Sequence, residues 1–187
     1  MRIKIRDMIL VSLFAALTAI GAFIRIPTPI VPFTLQFLFC AYAGTLLGSR
    51  LGLISQLLYV GIGLAGVPIF TKGGGISYIF QPTFGYLIGF ILCAYVIGKL
   101  TENLKEITFI KYFVIVVAGL MIVYGIGVPY LYLIVNYYLG KDMTFRQAIY
   151  AGFALYIIPD LLLSALVAFT SVKVIPTLKK LGYKKGK

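Results

Sequence analysis

Long apolar runs, separated by short polar or glycine- and proline-rich segments, make up almost the whole chain of 187 residues. A helix needs about 20 mostly apolar residues to cross the hydrocarbon core of a bilayer. Six runs come close to that length or exceed it, so the pattern predicts six transmembrane helices in one all-α domain over residues 1–187. We place the spans at about 8–24, 33–47, 51–70, 84–97, 112–139 and 145–172.

Two of the runs contain residues that disrupt helices. Gly125, Gly127 and Pro129 lie inside the fifth run, which predicts either a kink or a break into two half-helices. Pro159 lies inside the sixth run and should open that helix locally, because its ring deprives the carbonyl one turn earlier of its partner.

The composition supports a membrane protein. Hydrophobic residues make up 61% of the chain and charged residues 12%, and the mean hydropathy is +1.02. A soluble domain has roughly a quarter of its residues charged. Five acidic residues are too few for the charged surface of a soluble protein of this length. We therefore expect the chain to lie in the lipid bilayer of the cell membrane.

The basic residues indicate how the chain is oriented. If six spans leave both termini on one side, four of the 17 lysines and arginines fall on the other side, namely Arg25, Lys72, Lys141 and Arg146. Lysine and arginine concentrate on the cytoplasmic side of membrane proteins, so we expect both termini in the cytoplasm. The net charge of +12 would also attract nucleic acid. However, the basic residues flank apolar runs instead of alternating with aromatic residues, so we expect no nucleic acid partner.

Two irregular segments face the outside in this arrangement. Residues 61–90 read GIGLAGVPIFTKGGGISYIFQPTFGYLIGF, and residues 25–32 read RIPTPIVP with three prolines. Irregular backbone survives near membrane depth only where protein or a water-lined cavity supplies its hydrogen bonds. Residues 25–32 contain loop 1–2, and residues 61–90 contain loop 3–4. The two loops are therefore predicted to roof an outward-facing ligand pocket.

The glycine-rich segment also contains candidate binding groups. Lys72, Gly73 and Gly74 are typical of an anion site built from backbone N–H groups, although a plain flexible loop fits as well. Tyr78 and Gln81 add an aromatic face and an amide near the same predicted mouth. This mixture is typical of a site for a small ligand with an apolar body and a few polar groups.

Asp160 is the most informative single residue. A charged side chain inside a membrane span costs several kcal/mol unless it faces a polar cavity or a partner. An ion pair with another span is not expected, because the cores of the spans contain no lysine or arginine. Asp160 is therefore predicted to bind the ligand. Gln36, in the second span, is predicted either to bind ligand or to form a hydrogen bond between helices.

The sequence lacks the residues that catalysis needs. It contains no histidine, no pair of acidic residues within a span, and none of the HExxH, GxSxG and GxxxxGK[ST] motifs. Cys40 and Cys93 lack CxxC spacing and are expected to be buried apolar residues. We expect binding or transport without metal or cofactor, and no enzyme activity.

Three segments resemble a known family. RIPTPIVPFTLQ at 25–36, GLAGVPIFTKGGG at 63–75 and QPTFGYLIGF at 81–90 resemble BioY, the biotin-specific substrate-binding subunit, or S component, of energy-coupling factor (ECF) transporters. The resemblance implies six membrane helices and an outward-opening vitamin pocket. It also implies a transmembrane coupling protein and two cytoplasmic ATPases as partners, which agrees with the missing nucleotide-binding motif.

The resemblance also assigns roles to residues. Ala15 and Ala19 match an Ala-x-x-x-Ala motif with which the family contacts the coupling protein. The family's last span resembles I-P-x-D followed by a lysine three positions later. Here Pro159 directly precedes Asp160, and Leu163 stands where the lysine is expected. Asp160 is therefore the only charge in that motif.

Biotin suits the candidate residues. Its ureido ring has two N–H donors and a carbonyl, and its tail ends in a carboxylate. We expect Asp160 to accept from the ureido N–H groups and Gln36 or Gln81 to donate to the carbonyl. Phe33 and Tyr78 would pack on the rings. Either Lys72 or an N–H of the glycine loop would lie near the carboxylate, or the tail would stay in solvent.

Other readings remain open at this point. The chain is also compatible with an S component for another vitamin, such as thiamine or riboflavin. A stand-alone secondary transporter or channel, with Asp160 as a proton relay, is a third possibility. A membrane enzyme that acts on lipid is disfavoured by the missing catalytic residues.

Overall fold

Seven α-helices and one short hairpin account for most of the structure, a computed structural model that describes residues 4–28 and 30–180. The helices are α1 (Ile5–Phe23), α2 (Gln36–Tyr42), α3 (Ser49–Leu64), α4 (Phe84–Glu102), α5 (Phe109–Leu133), α6 (Phe145–Ile149) and α7 (Ile157–Lys180). Segments of π-helix follow α2, α5 and α6, at Ala43–Leu47, Ile134–Tyr138 and Tyr150–Ala154. A 3₁₀ turn lies at Ile76–Phe80.

Within the described residues, four helical stretches are long and apolar enough to cross a membrane, and two other apolar stretches are shorter. The long stretches are Ile5–Phe23, Phe84–Glu102, Phe109–Tyr138 and Phe145–Leu178, and the short ones are Gln36–Leu47 and Ser49–Leu64. At a rise of 1.5 Å per residue the short stretches are about 18 and 24 Å long, less than the roughly 30 Å of a bilayer core. The all-α membrane class is confirmed, whereas six crossings remain a prediction.

The structure differs from the predicted spans at the start of the second span and at the end of the third. Phe33 and Thr34, predicted within the second span, form strand β2 (Phe33–Thr34). Strand β1 (Arg25–Ile26) pairs with it in antiparallel fashion, Arg25 opposite Thr34, so the proline-rich connector becomes the turn of a hairpin. In the third run, α3 ends at Leu64, six residues before the predicted end.

Phe70 anchors the irregular segment that follows α3. Its side chain is 1% exposed, and its ring packs against Tyr59 and Tyr78 at centroid distances of 5.4 and 4.5 Å. The ring also covers Gly63, where a Cβ would lie 2.1 Å from the Phe70 Cζ. The segment is therefore held in place by a buried aromatic cluster.

The helix break occurs in the sixth run and not in the fifth. Helix α5 passes through Pro129 without interruption and continues into π-helix. The sixth run is divided into α6, a π-helical segment and α7, which begins at Ile157. Pro159 lies in the first turn of α7, where its missing N–H needs no partner. Asp160 lies in the same turn and therefore stands at a helix end inside the apolar run.

Close helix contacts are made through glycines. A Cβ at Gly89 of α4 would lie 2.8 Å from the Cα of Val123 on α5. A Cβ at Gly44 would lie equally close to the carbonyl oxygen of Ala94 on α4. Helix α4 thus packs tightly on both neighbours and forms the centre of the bundle.

Candidate functional site

A cavity inside the bundle collects side chains from loop 1–2, loop 3–4 and helices α2, α4, α5 and α7. We call it the inner cavity, and the centre of a water molecule can move through about 60 Å³ of it. Its lining residues are Val31, Pro32, Phe33, Thr34, Gln36, Phe37, Thr71, Tyr78, Thr83, Tyr86, Leu87, Phe90, Leu120, Val123, Tyr124, Tyr156 and Asp160. Four residues predicted to bind ligand are among them: Phe33, Gln36, Tyr78 and Asp160.

Asp160 is the charged side chain of this lining. It is 7% exposed, and its Oδ2 accepts a hydrogen bond from the Tyr124 hydroxyl on α5. Charge-assisted hydrogen bonds are roughly twice as strong as neutral ones, and a low dielectric strengthens them further. The Tyr124 hydroxyl thus fixes the carboxylate in the lining of the cavity.

Gln36 is held in one orientation by two hydroxyl groups. The side chain is 4% exposed; its Nε2 donates to the Tyr59 hydroxyl at 2.9 Å, and its Oε1 accepts from Thr34 Oγ1 at 3.1 Å. Tyr59 in turn donates to the carbonyl of Ile69 in loop 3–4. An amide nitrogen carries two N–H donors, so one remains for a ligand.

Tyr78 and Phe33 form aromatic walls. The Tyr78 hydroxyl lies 2.8 Å from Thr71 Oγ1 and 3.0 Å from Thr83 Oγ1, which orients the ring. Phe33 stacks on Tyr156 with a centroid distance of 6.4 Å and an interplanar angle of 15°. Flat apolar faces therefore bound the space between the polar groups.

The other predicted ligand residues lie elsewhere. Lys72 and Gln81 line a second cavity, between loop 3–4 and the connection from α5 to α6. The N–H of Gly73 donates to the carbonyl of Phe70, so it is not directed at an anion. Gly74 packs against backbone, since a Cβ there would lie 2.2 Å from the carbonyl oxygen of Val67. Ligand contacts from these four residues stay predictions.

Ala15 and Ala19 face the interior of the bundle. Ala15 is 5% exposed and belongs to the main core, and Ala19 packs against the same core. On the outer face of α1, Leu13 and Ile20 are 48% and 51% exposed. Partner binding by the two alanines stays a prediction, and in this conformation α1 presents larger side chains outward.

Sequence reasoning missed two tyrosines that matter for the geometry, Tyr124 and Tyr156. Tyr156 stands four residues before Asp160, the spacing that puts two side chains on one helix face, so this signal was present in the sequence. Tyr124 lies on another helix, 36 residues from Asp160, and no local pattern marks it.

Tyr156 also closes the cavity. Its hydroxyl donates to the carbonyl of Val31 and lies 2.8 Å from Thr28 Oγ1. These contacts tie loop 1–2 to the chain just before Asp160. In a similar way, the Tyr130 hydroxyl on α5 donates to the carbonyl of Ile79 and ties down loop 3–4. We call these contacts the two latches.

This arrangement is that of a helical membrane-embedded binding protein, whose buried cavity ends in one carboxylate. The crystal structure of the S-component for biotin from an ECF-type ABC transporter has the same fold. Its TM-score is 0.82 over 92% of both chains, at 23% sequence identity.

Sequence relatives narrow the class to a family. The probable biotin transporter BioY of Lysinibacillus sphaericus is 48% identical over 171 residues, which cover 90% of this chain and 87% of the relative. The biotin transporter BioY of Thermotoga maritima is 38% identical over 177 residues, 94% of this chain and 97% of the relative. The sequence model of the BioY family matches residues 1–180. The chain belongs to the BioY family.

Proposed function

We propose that the protein binds biotin in the inner cavity and is the substrate-binding subunit of an ECF-type ABC transporter that takes up biotin. The family and the names of its relatives support the substrate. The observation that carries the proposal is the buried Asp160 carboxylate, which faces an otherwise largely apolar cavity. Such a carboxylate needs a ligand that donates hydrogen bonds.

The ureido ring of biotin fits this requirement. One of its N–H groups donates to Oδ1 of Asp160, and its carbonyl accepts from the remaining N–H of Gln36. The apolar thiophane ring lies between Phe33 and Tyr78. A donor and the acceptor of the ring then have partners, which lowers the penalty for burying these groups.

The outer side of the membrane lies at the latched loops. Arg25 donates to the carbonyl of Thr71, which joins the two loops. Lys72, Lys141 and Arg146, the other three basic residues predicted outside, line one cavity beside them. Four residues placed on one side by charge counting thus lie together in space, which supports six crossings with both termini in the cytoplasm of the cell.

The energy for uptake comes from partner subunits in this proposal. The chain has no nucleotide-binding motif, so a transmembrane coupling protein and two cytoplasmic ATPases supply ATP hydrolysis. The chain itself acts as a binding subunit and not as an enzyme. Helix α1, which includes Ala15 and Ala19, is the proposed contact with the coupling protein.

Biotin must displace the roof to enter. The space of about 60 Å³ suffices for a few water molecules, since each needs about 10–15 Å³ on this measure. A bicyclic ligand is larger than that, so loops 1–2 and 3–4 move when it binds or leaves. The latches of Tyr156 and Tyr130 hold these loops and therefore govern the exchange of ligand.

A Tyr156→Phe variant should release biotin faster. The change removes the hydrogen bond to Val31 but keeps the ring that stacks on Phe33. One neutral hydrogen bond contributes about 0.5–1.5 kcal/mol, so we expect a dissociation rate about 2- to 12-fold higher. Dissociation of radiolabelled biotin into excess unlabelled biotin measures it. Tyr137→Phe, at a position 82% exposed, is the matched control and should release biotin at the wild-type rate. Equal rates in both variants would contradict the latch.

The proposed function is tested by identifying what the purified protein binds. Mass spectrometry of ligand extracted from the protein should find biotin, and calorimetry should show tight binding of biotin but not of thiamine or riboflavin. Uptake of biotin into cells should require the coupling protein and the ATPases. Another vitamin in the extract would refute the substrate, and uptake in cells without the ATPases would identify a secondary transporter.

A further inference from the structure

The second cavity, which Lys72 and Gln81 line, is larger than the inner cavity and shares no lining residue with it. The centre of a water molecule can move through about 880 Å³ of it. It lies between loop 3–4 and the connection from α5 to α6. We call it the outer cavity.

Only a thin wall of backbone separates the outer cavity from the inner one. At three places, consecutive residues of the chain line opposite sides of this wall. Lining the outer cavity are Ile30, Lys72 and Pro82, and lining the inner cavity are their neighbours Val31, Thr71 and Thr83. All three places belong to the latched loops. If these loops move apart, the two cavities become one continuous space.

The charge of the outer cavity is mainly positive. Lys72, Lys141 and Arg146 line it, and Asp142 is the acidic residue among the lining side chains. All four side chains are exposed to solvent. A cleft lined by one sign of charge concentrates ions of the opposite sign and raises their association rate.

The loop that carries most of these charges is built rigidly. Asn136, in the π-helical segment after α5, binds the backbone of Met143 twice, through Nδ2 to the carbonyl and through Oδ1 to the N–H, both at 3.0 Å. Thr144 and Gln147 then form a reciprocal cap at the start of α6. The backbone that carries Lys141 and Arg146 is therefore held beside the cavity.

We propose that the outer cavity is a basic antechamber that captures the carboxylate of the anionic ligand before the roof opens. The inference rests on the proposed function, because it takes biotin as the ligand. Asp160 gives the inner cavity a negative charge, which repels a carboxylate and favours the neutral ureido ring. The two cavities thus orient biotin: its ureido ring enters the inner cavity, and its carboxylate tail stays in the outer cavity, beside Lys72.

The test is the association rate of biotin with the protein in nanodiscs of neutral phosphatidylcholine, measured by stopped flow over a range of ionic strength. At low salt, a Lys141→Gln/Arg146→Gln variant should associate about tenfold more slowly than wild type, the lower end of typical charge steering. Its rate should also depend less on salt, since screening acts on the charges that were removed. The Asp142→Asn variant should associate faster than wild type.

Two controls isolate the charge effect. A Lys99→Gln/Lys105→Gln variant removes the same charge, from the last turn of α4 and from the connection that follows it, and should associate at the wild-type rate. Biotin amide, which lacks the carboxylate, should associate equally fast with wild type and with the Lys141→Gln/Arg146→Gln variant. The antechamber would be refuted if the association rate of biotin changed neither with salt nor with the Lys141→Gln/Arg146→Gln substitutions. It would also be refuted if these substitutions slowed the association of biotin amide as much as that of biotin. A wild-type protein that binds no biotin at all would instead refute the proposed function.

Discussion

An Asp160→Asn variant should bind biotin about 10- to 150-fold more weakly than the wild-type protein. Hydrogen bonds to a charged group contribute about 1.5–3 kcal/mol, which corresponds to that range. The substitution keeps the size of the side chain. However, Tyr124 donates to one oxygen, so the asparagine would accept from Tyr124 and turn its NH₂ group toward the ligand. A donor would then face the N–H donors of the ureido ring.

Calorimetric titration with biotin measures this loss. Asp7→Asn is the matched control, because it makes the same change at the start of α1, where Asp7 pairs with Arg6 at 3.4 Å. That variant should bind like wild type. Thermal unfolding without ligand shows whether Asp160→Asn is folded. A folded variant whose affinity lies within threefold of wild type would refute the role of Asp160.

The sequence predicted one pocket, and the structure distributes its predicted residues between two cavities. Asp160 and Gln36 stood out because polar groups at membrane depth need partners, and the structure places both in one cavity. Lys72 directly follows Thr71, and Gln81 lies two positions before Thr83. Thr71 and Thr83 line the inner cavity, yet Lys72 and Gln81 line the outer one. Neighbouring residues line different cavities here, and which cavity a side chain enters depends on the local backbone geometry. Composition does not specify that geometry.

The position of the helix break depended on tertiary contacts. Tyr86 of α4 packs closely on Gly127 of α5: a Cβ at Gly127 would lie 2.5 Å from the Tyr86 Cδ1. This contact supports the helix beside Pro129. In the sixth run, the Tyr86 hydroxyl donates at 2.9 Å to the carbonyl of Gly152, inside the π-helical segment. One tyrosine of α4 thus braces the unbroken helix and supplies a partner to the irregular one.

The end of the bundle at which α3 begins contains a contact that leaves no room for an added methyl group. Gly98 of α4 meets the chain where α3 begins: a Cβ there would lie 2.2 Å from the backbone nitrogen of Ser49 and 2.4 Å from the carbonyl carbon of Gly48. Gly48 has φ of +87°, a conformation that favours glycine, so this turn cannot shift easily. One turn later, Glu102 accepts from the N–H of Ser49 at 2.7 Å and satisfies the start of α3.

Gly98→Ala should therefore destabilise the protein by about 3 kcal/mol, the upper part of the usual range for overpacking, because backbone and not a flexible side chain is in the way. The added methyl group pushes α4 away from α3 and stretches the bond from Ser49 to Glu102. Thermal unfolding of the purified protein in detergent measures the loss. Gly125→Ala makes the same change inside α5, where a Cβ meets nothing within 4 Å, and should leave the unfolding temperature unchanged or slightly raised. Equal unfolding temperatures for the two variants would mean that α3 and α4 do not cross at Gly98 as the structure has them.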